Sequence, residues 1–243
     1  MTGQPSPSIL ALDTAAGACS AALFADGMVR RREWAAMARG HAEALMPMVA
    51  TVMTDRDYDG LDAIAVTVGP GGYTGLRIGL ATARGLALAA RLPVIGVSSF
   101  KAVARGAREA GAPPGPMLVV LETKRADLYV QFLDAGLAPS SEPACLMPDA
   151  VAAAFPALWA EPVIVAGDAV PRLLAALPQD HHVTVAPGDG LADAAIVATE
   201  AAERLLAGPL PRGTPLPRPL YLRPPDVSLP AADRPRLRGG SNP

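Results

Sequence analysis

The sequence predicts an α/β protein of two related lobes. Three observations predict it. Short apolar runs suited to strands alternate with segments of helical period; the alternation occurs twice along the 243 residues; and 51% of residues are apolar but only 4% aromatic, so Ala, Val, Leu, Ile and Met must build the core. A chain of this length can bury that core without disulfide or metal staples.

In order, Ile9 to Thr14 reads as a buried strand and Ala18 to Ala25 as a second, ending at Asp26-Gly27. That dipeptide favours a tight hairpin because both central positions need positive φ. Met28 to Trp34 returns as a third strand. The period then changes: between Gly40 and Thr54, Ala42, Leu45, Met46, Val49, Val52 and Met53 recur at helical spacing, with Pro47 as a kink or first-turn residue. Ala63 to Val68 is a fourth strand, Gly75 to Arg91 a long helix and Val94 to Val97 a fifth strand. The second round has strands at Met117 to Leu121, Leu128 to Leu133 and Pro162 to Ala166, with helices at Asp149 to Phe155 and Ala169 to Leu177. A return helix over 189–206 could pack on either lobe. Proline at 209, 211, 215, 217, 219, 224 and 225 makes the rest extended or turn-like. The expected lobes span 8–100 and 101–222, and a Pro-rich tail over 223–243 is expected to be largely disordered.

Lys plus Arg is 21 and Asp plus Glu 23, a net charge of −2 that supplies no global field for a polyanion. Any RNA contact must be local or shared with a partner. The low aromatic content argues against a base-stacking surface of the single-strand-binding kind. Cys19 and Cys145 are far apart, which opposes a disulfide framework or a CxxC site and fits a reducing cytoplasm. Asp13 interrupts the apolar stretch from Ile9 to Ala25, and Met1 to Ser8 hold no Lys or Arg, so neither a signal peptide nor a membrane association is expected.

The most informative segment is Gly69-Pro-Gly-Gly-Tyr-Thr-Gly-Leu-Arg-Ile-Gly79, which follows a strand and opens a helix. Backbone amides and the helix dipole there suit an anion, and Gly71, Gly72 and Thr74, with Asp13 and Thr14 at the end of the first strand, make a candidate phosphate loop. The alternative reading is a tight turn with close helix packing. No lysine completes a Walker loop and the GxGxxG spacing fails, so a dinucleotide site is not expected. Ala15 and Ala16 follow Asp13-Thr14 where a phosphate needs glycine. His41, His181 and His182 offer no HExxH, and no GxSxG elbow or Ser/His/Asp order occurs. No catalytic, metal-ligating or cofactor-binding set is expected.

Ile9-Leu-Ala-Leu-Asp-Thr14, Gly40-His41-Ala-Glu43 through Met46-Pro47, GPGGYTGLRIG, Pro93-Val-Ile-Gly-Val-Ser-Ser99 and Tyr221-Leu-Arg-Pro-Pro225 together resemble the TsaB (YeaZ) family. The resemblance spans most of the chain and is strongest over its first hundred residues. It implies an actin-like, hexokinase-like fold and a cytoplasmic role in making threonylcarbamoyladenosine on transfer RNA. It also implies heterodimerisation with a TsaD-like transferase, assembly with a TsaE-like ATPase, and tRNA contact only through the complex. Where the family shows Ala-Arg-Arg after a second-lobe strand, this chain has Glu122-Thr-Lys124-Arg125. Where TsaD-type relatives carry two metal-binding histidines, it has Ser99 and Val103, which implies a non-catalytic scaffold or activating subunit. The rivals are an enzyme of the same fold, either an ATP-dependent transferase, a sugar-type kinase or a metallopeptidase, and a self-associating homodimer.

A small-residue strip of Gly75, Gly79, Ala83 and Ala87 would admit another helix, with Leu76, Leu80 and Leu88 on its flank. Together with His41, Leu45, Met48, Val49 and Val52 on the preceding helix, Gly75, Leu76, Gly79 and Ala83 form the expected partner interface. The alternative is that all are ordinary core. Removing residues from Ser228 onward, a stretch without aromatics, is expected to leave folding unchanged; a melting temperature lowered by more than several degrees would show that the tail docks.

Overall fold

The computed structural model describes residues 6–154, 163–177, 182–211 and 214–223. The tail from 224, Phe155, Pro162 and His181 lie outside the described residues. The first half contains β1 (Ile9–Asp13), β2 (Ala18–Ala25), β3 (Met28–Ala36), α1 (His41–Val52), β4 (Ala63–Gly69), α2 (Tyr73–Ala90), β5 (Val94–Ser98) and α3 (Ser99–Glu109). The second contains β6 (Met117–Glu122), β7 (Leu128–Leu133), β8 (Ala144–Leu146), α4 (Pro148–Ala154), β9 (Val163–Ala166), α5 (Val170–Leu174), β10 (Val183–Val185) and α6 (Ala194–Leu206).

The two halves repeat one topology. The first sheet runs β3-β2-β1-β4-β5 and the second β8-β7-β6-β9-β10, each an antiparallel meander joined to a parallel pair. Asp26 and Gly27 turn the first hairpin with φ of 54° and 80°, as the Asp-Gly pair requires. β2 is buried along its whole length and offers Ala18, Ala21, Ala22 and Ala25, so elements on both of its faces can approach closely. β3 is an edge strand, and Arg30, Arg31 and Arg32 blunt it by pairing with Asp26, Asp55 and Asp193.

Alternation along the strands divides the core into layers. Leu10, Leu12, Ile64 and Val66 face α1 and α2. Ile9, Ala11, Ala65 and Val97 face the opposite way and meet Phe100 and Val103 of α3, Val197 and Ala201 of α6, and Met117 and Val119 of the second sheet. Leu118, Val120, Val163 and Val165 face α4 and α5. The stack is therefore helices, sheet, helices, sheet, helices.

The return helix, open to either lobe from its sequence, lies against the first sheet, with β1 and β2 its main strand neighbours. Asp193 caps it by accepting from Ala195 N at 2.8 Å and also accepts from Arg32 Nε at 2.7 Å, while Ser20 Oγ of β2 accepts from Ala194 N at 2.9 Å. Pro47 sits inside α1. Leu220 N donates to Val68 O at 2.7 Å, so the proline-rich segment after α6 returns to the end of β4 as an extended strap. Among the described residues no helix is long and apolar enough to cross a membrane.

Phe100 is fully buried in the central layer. Phe100→Ala is expected to cost about 3–5 kcal/mol, read from the urea midpoint at constant m-value.

Candidate functional site

β1 and β4 end side by side, so the Asp13–Gly17 turn meets the glycine loop before α2. The contact is direct. Gly72 N donates to Ala15 O at 2.7 Å, and Thr14 Oγ1 donates to Gly75 O at 2.7 Å. A Cβ on Gly71 would stand 2.3 Å from Ala15 O, one on Gly75 2.1 Å from Thr14 O, and one on Gly79 2.6 Å from Thr14 Oγ1. The glycines therefore serve close helix packing. His41 Nε2 lies 3.1 Å from Ala16 O and ties the start of α1 to the same turn. Thr74 and Gly72 are exposed at the start of α2.

Between this contact and the second lobe, a cavity of about 10 Å³ is lined by Ala15, Pro70, Gly71, Ser99, Val103, Glu122 and Asp168. That volume suits about one water molecule, not a nucleoside phosphate. Nor does the donor set suit the transition metal of TsaD-type chemistry: Ser99 and Val103 are both buried, and a valine side chain carries no donor atom. Among the described residues no three His, Cys, Asp or Glu side chains gather as metal ligands.

Asp13, Thr67 and Ser99 bring Oδ2, Oγ1 and Oγ into the interior without a hydrogen-bond partner among the described residues. Burial pushes the Asp13 carboxyl up to about 7; the adjacent Thr67 hydroxyl and the Ala15 amide, donating to Oδ1 at 3.3 Å, oppose the rise, and the Asp193 carboxylate adds to it.

Across the cleft the β6–β7 turn is braced from α5. Arg172 pairs with Glu122 and donates through Nη2 to Arg125 O at 2.6 Å and Ala126 O at 2.7 Å. Lys124 is exposed with φ of 60°. The departure from the family's Ala-Arg-Arg pattern thus falls on a turn shaped by Arg172. Sequence reasoning missed Asp168, whose carboxyl burial pushes up and which accepts from Glu122 N at 2.9 Å. It also missed the 520 Å³ pocket formed by α3, α5, β9 and residues 186–191. The neighbouring glycines were its available signal: Gly167, with φ of 122°, has Val120 O 1.9 Å from where its Cβ would lie.

The interface candidates divide. Leu45, Val49, Val52, Leu76, Gly79 and Ala83 are buried in the chain's own core, and His41, Met48 and Gly75 are partly buried. The Gly75-Gly79-Ala83 strip receives the chain's own β1 turn and parent sheet, which corrects the expectation that it admits a partner helix. Gly79→Arg would collide with Thr14. Leu88, on the flank of that strip, is 83% exposed. The outward face of α2 instead carries Ala81, Gly85 and Leu88, and that of α1 carries Ala42, Met46 and Ala50.

A five-stranded unit of three antiparallel and two added parallel strands, present twice with the β1–β2 and β6–β7 turns on one cleft, defines the actin-like class of two-lobed α/β proteins. The model of the TsaD family, tRNA N6-adenosine threonylcarbamoyltransferase, matches residues 35–140. The tRNA threonylcarbamoyladenosine biosynthesis protein TsaB of Escherichia coli is 40% identical over 124 residues, which cover 50% of this chain and 52% of that protein. Its namesake in Haemophilus influenzae is 39% identical over 103 residues, covering 42% and 43%. The structure of YeaZ from Pseudomonas aeruginosa superposes with a TM-score of 0.76 at 28% identity, over 89% of this chain and all of that one. Together these matches show that the chain is similar to TsaB and YeaZ proteins. Its alignments span about half the length of the curated relatives it matches.

Asp13 sets a pH dependence. The folded chain keeps the proton up to about 7, while the unfolded chain releases it near 3.8, so stability falls as pH rises from about 4 to about 7 and is level above. Asp13→Asn keeps the Ala15 acceptor and removes the titration. Its advantage over wild type in urea unfolding is expected to grow across that window to roughly 2–4 kcal/mol.

Proposed function

We propose that this protein is a non-catalytic subunit in the formation of threonylcarbamoyladenosine on tRNA, acting in the cytoplasm by binding a TsaD-like transferase. The observation that carries the reading is the packing of Gly71 on Ala15. It joins the glycine loop to the turn after β1, and there the glycines serve close packing and rigidity. Ser99 and Val103, in place of a ligand pair, support the same conclusion. A scaffold needs a stiff surface, and two sheets sharing one central helix layer supply it.

The docking face we assign is the outward side of α1 and α2. Ala81, Gly85 and Leu88 recur at i, i+4 and i+7 along α2, a spacing that lets a partner helix approach closely over the small residues while Leu88 supplies apolar area. Met46, 45% exposed, adds an adaptable side chain on α1. A TsaE-like ATPase would join the pair thus formed.

Calorimetric titration of the full chain with its TsaD-like partner tests this. Gly85→Arg meets nothing within 4 Å in the free chain, so folding is retained by circular dichroism. Gly85→Arg and Met46→Glu are each expected to weaken binding about 30-fold or more, roughly 2 kcal/mol. Unchanged affinity in both variants would place the partner elsewhere. Steady ATP hydrolysis by the chain alone would defeat the non-catalytic reading.

A further inference from the structure

The described aromatic side chains are mostly covered, with two exceptions. Tyr73 is 46% exposed and Tyr221 39%, and although 148 positions apart they stack on each other with ring centroids 5.4 Å apart. Arg77 completes the group: its guanidinium carbon stands 3.9 Å from the Tyr73 ring centroid, and its Nε donates to the Tyr221 hydroxyl at 3.1 Å. No carboxylate pairs with Arg77 among the described residues, so its Nη groups remain available for an anion.

The electrostatic setting is unlike the rest of the chain. The sequence holds no Asp or Glu from Ala63 to Arg108, where it holds Arg77, Arg84, Arg91, Lys101, Arg105 and Arg108, and none from Arg204 to Pro225. The fold brings these two acid-free segments together. The strap lies on α2, with Arg84 Nη2 donating to Pro217 O and Leu220 N bonded to Val68 O. Arg218, three positions before Tyr221, is exposed. Lys101 and Arg105 pair with Glu109, Glu200 and Glu203, so the cations that the helix and strap bring to the stacked rings are Arg77, Arg84 and Arg218. Planar π faces beside an unpaired guanidinium match a nucleobase and its phosphate. An acidic peptide would use the charge but not the rings.

We propose that Tyr73, Arg77 and Tyr221 are a contact site on this chain for a nucleotide of RNA, with a base stacked on the tyrosine pair and a phosphate on Arg77. The choice of RNA as occupant rests on the proposed role in tRNA modification. It replaces the expectation that tRNA is met only through the complex.

The test is fluorescence anisotropy with a labelled unmodified tRNA transcript, on the full chain alone and on its complex with the TsaD-like partner, across a salt series. Tyr221→Ala is expected to weaken RNA binding about 5- to 100-fold, with Tyr221→Phe retaining most of the affinity. Arg77→Ala is expected to lower the slope of log affinity against log salt by about one. Arg218→Ala repeats the electrostatic test without disturbing the stack. Partner affinity by calorimetry should be unchanged in the Tyr221 and Arg218 variants. Absence of RNA binding by the wild-type chain and its complex, or equal RNA affinity in every variant, would overturn the site. Loss of partner affinity with RNA binding intact would also overturn it and make the patch a protein contact. If RNA is bound through these residues but no transferase is, the site stands and the proposed function falls.

Discussion

Helix α2 lies directly on the backbone of Thr14 and Ala15, and much of the molecule's character depends on that approach. Hydrogen at the Cα of Gly71, Gly75 and Gly79 leaves no other atom to separate the helix from the turn, and each added methyl would overlap an oxygen. The turn's polar groups are then used inside the protein: Ala15 O takes the Gly72 amide and the Thr14 hydroxyl holds Gly75 O. A phosphate on this loop would compete with Ala15 O for the Gly72 amide. At this loop the glycines pack tightly against the turn.

The same approach orients everything α2 presents outward. With the glycine side inward, Ala81, Gly85 and Leu88 face solvent, and the first turn places Tyr73 and Arg77 where the strap can reach them. The strap secures this end of the helix through Arg84 and Leu220 and then crosses to the second lobe, where Arg223 pairs with the buried Asp127. One extended segment thus connects the glycine loop to the β6–β7 turn.

The two lobes are less independent than their repeated topology suggests. α6 follows the second sheet in sequence but is pinned to the first through Asp193 and Ser20, and α3 fills the space beside it with Phe100 and Val103. Separating the sheets would expose this apolar layer to water, at roughly 25 cal/mol per Å². Such a frame suits a protein that presents surfaces more than one that opens and closes on a substrate. Asp13 burdens it modestly: a carboxyl buried without a countercharge keeps its proton near neutrality, since ionising it in the interior costs more.

The sequence by itself determined the two-lobed α/β order, the Asp-Gly hairpin and the resemblance to TsaB proteins, because strand and helix periods, turn chemistry and the GPGGYTGLRIG run are local signals. The Ser98 cap and the spacing of Phe100, Val103, Ala104 and Ala107 mark α3 equally locally; the three-residue strands β8 and β10 are too short to carry a period. Only the tertiary structure decided which side of α2 is interior. Small residues at helical spacing fit a parent turn as well as a partner helix, and the difference is the position of Ala15 O, set by the pairing of β1 with β4. Only the fold could set Tyr221 on Tyr73 and join the two acid-free segments into one surface. Stacking and electrostatic potential depend on distance in space, and chain positions 148 apart carry no local sign of their meeting.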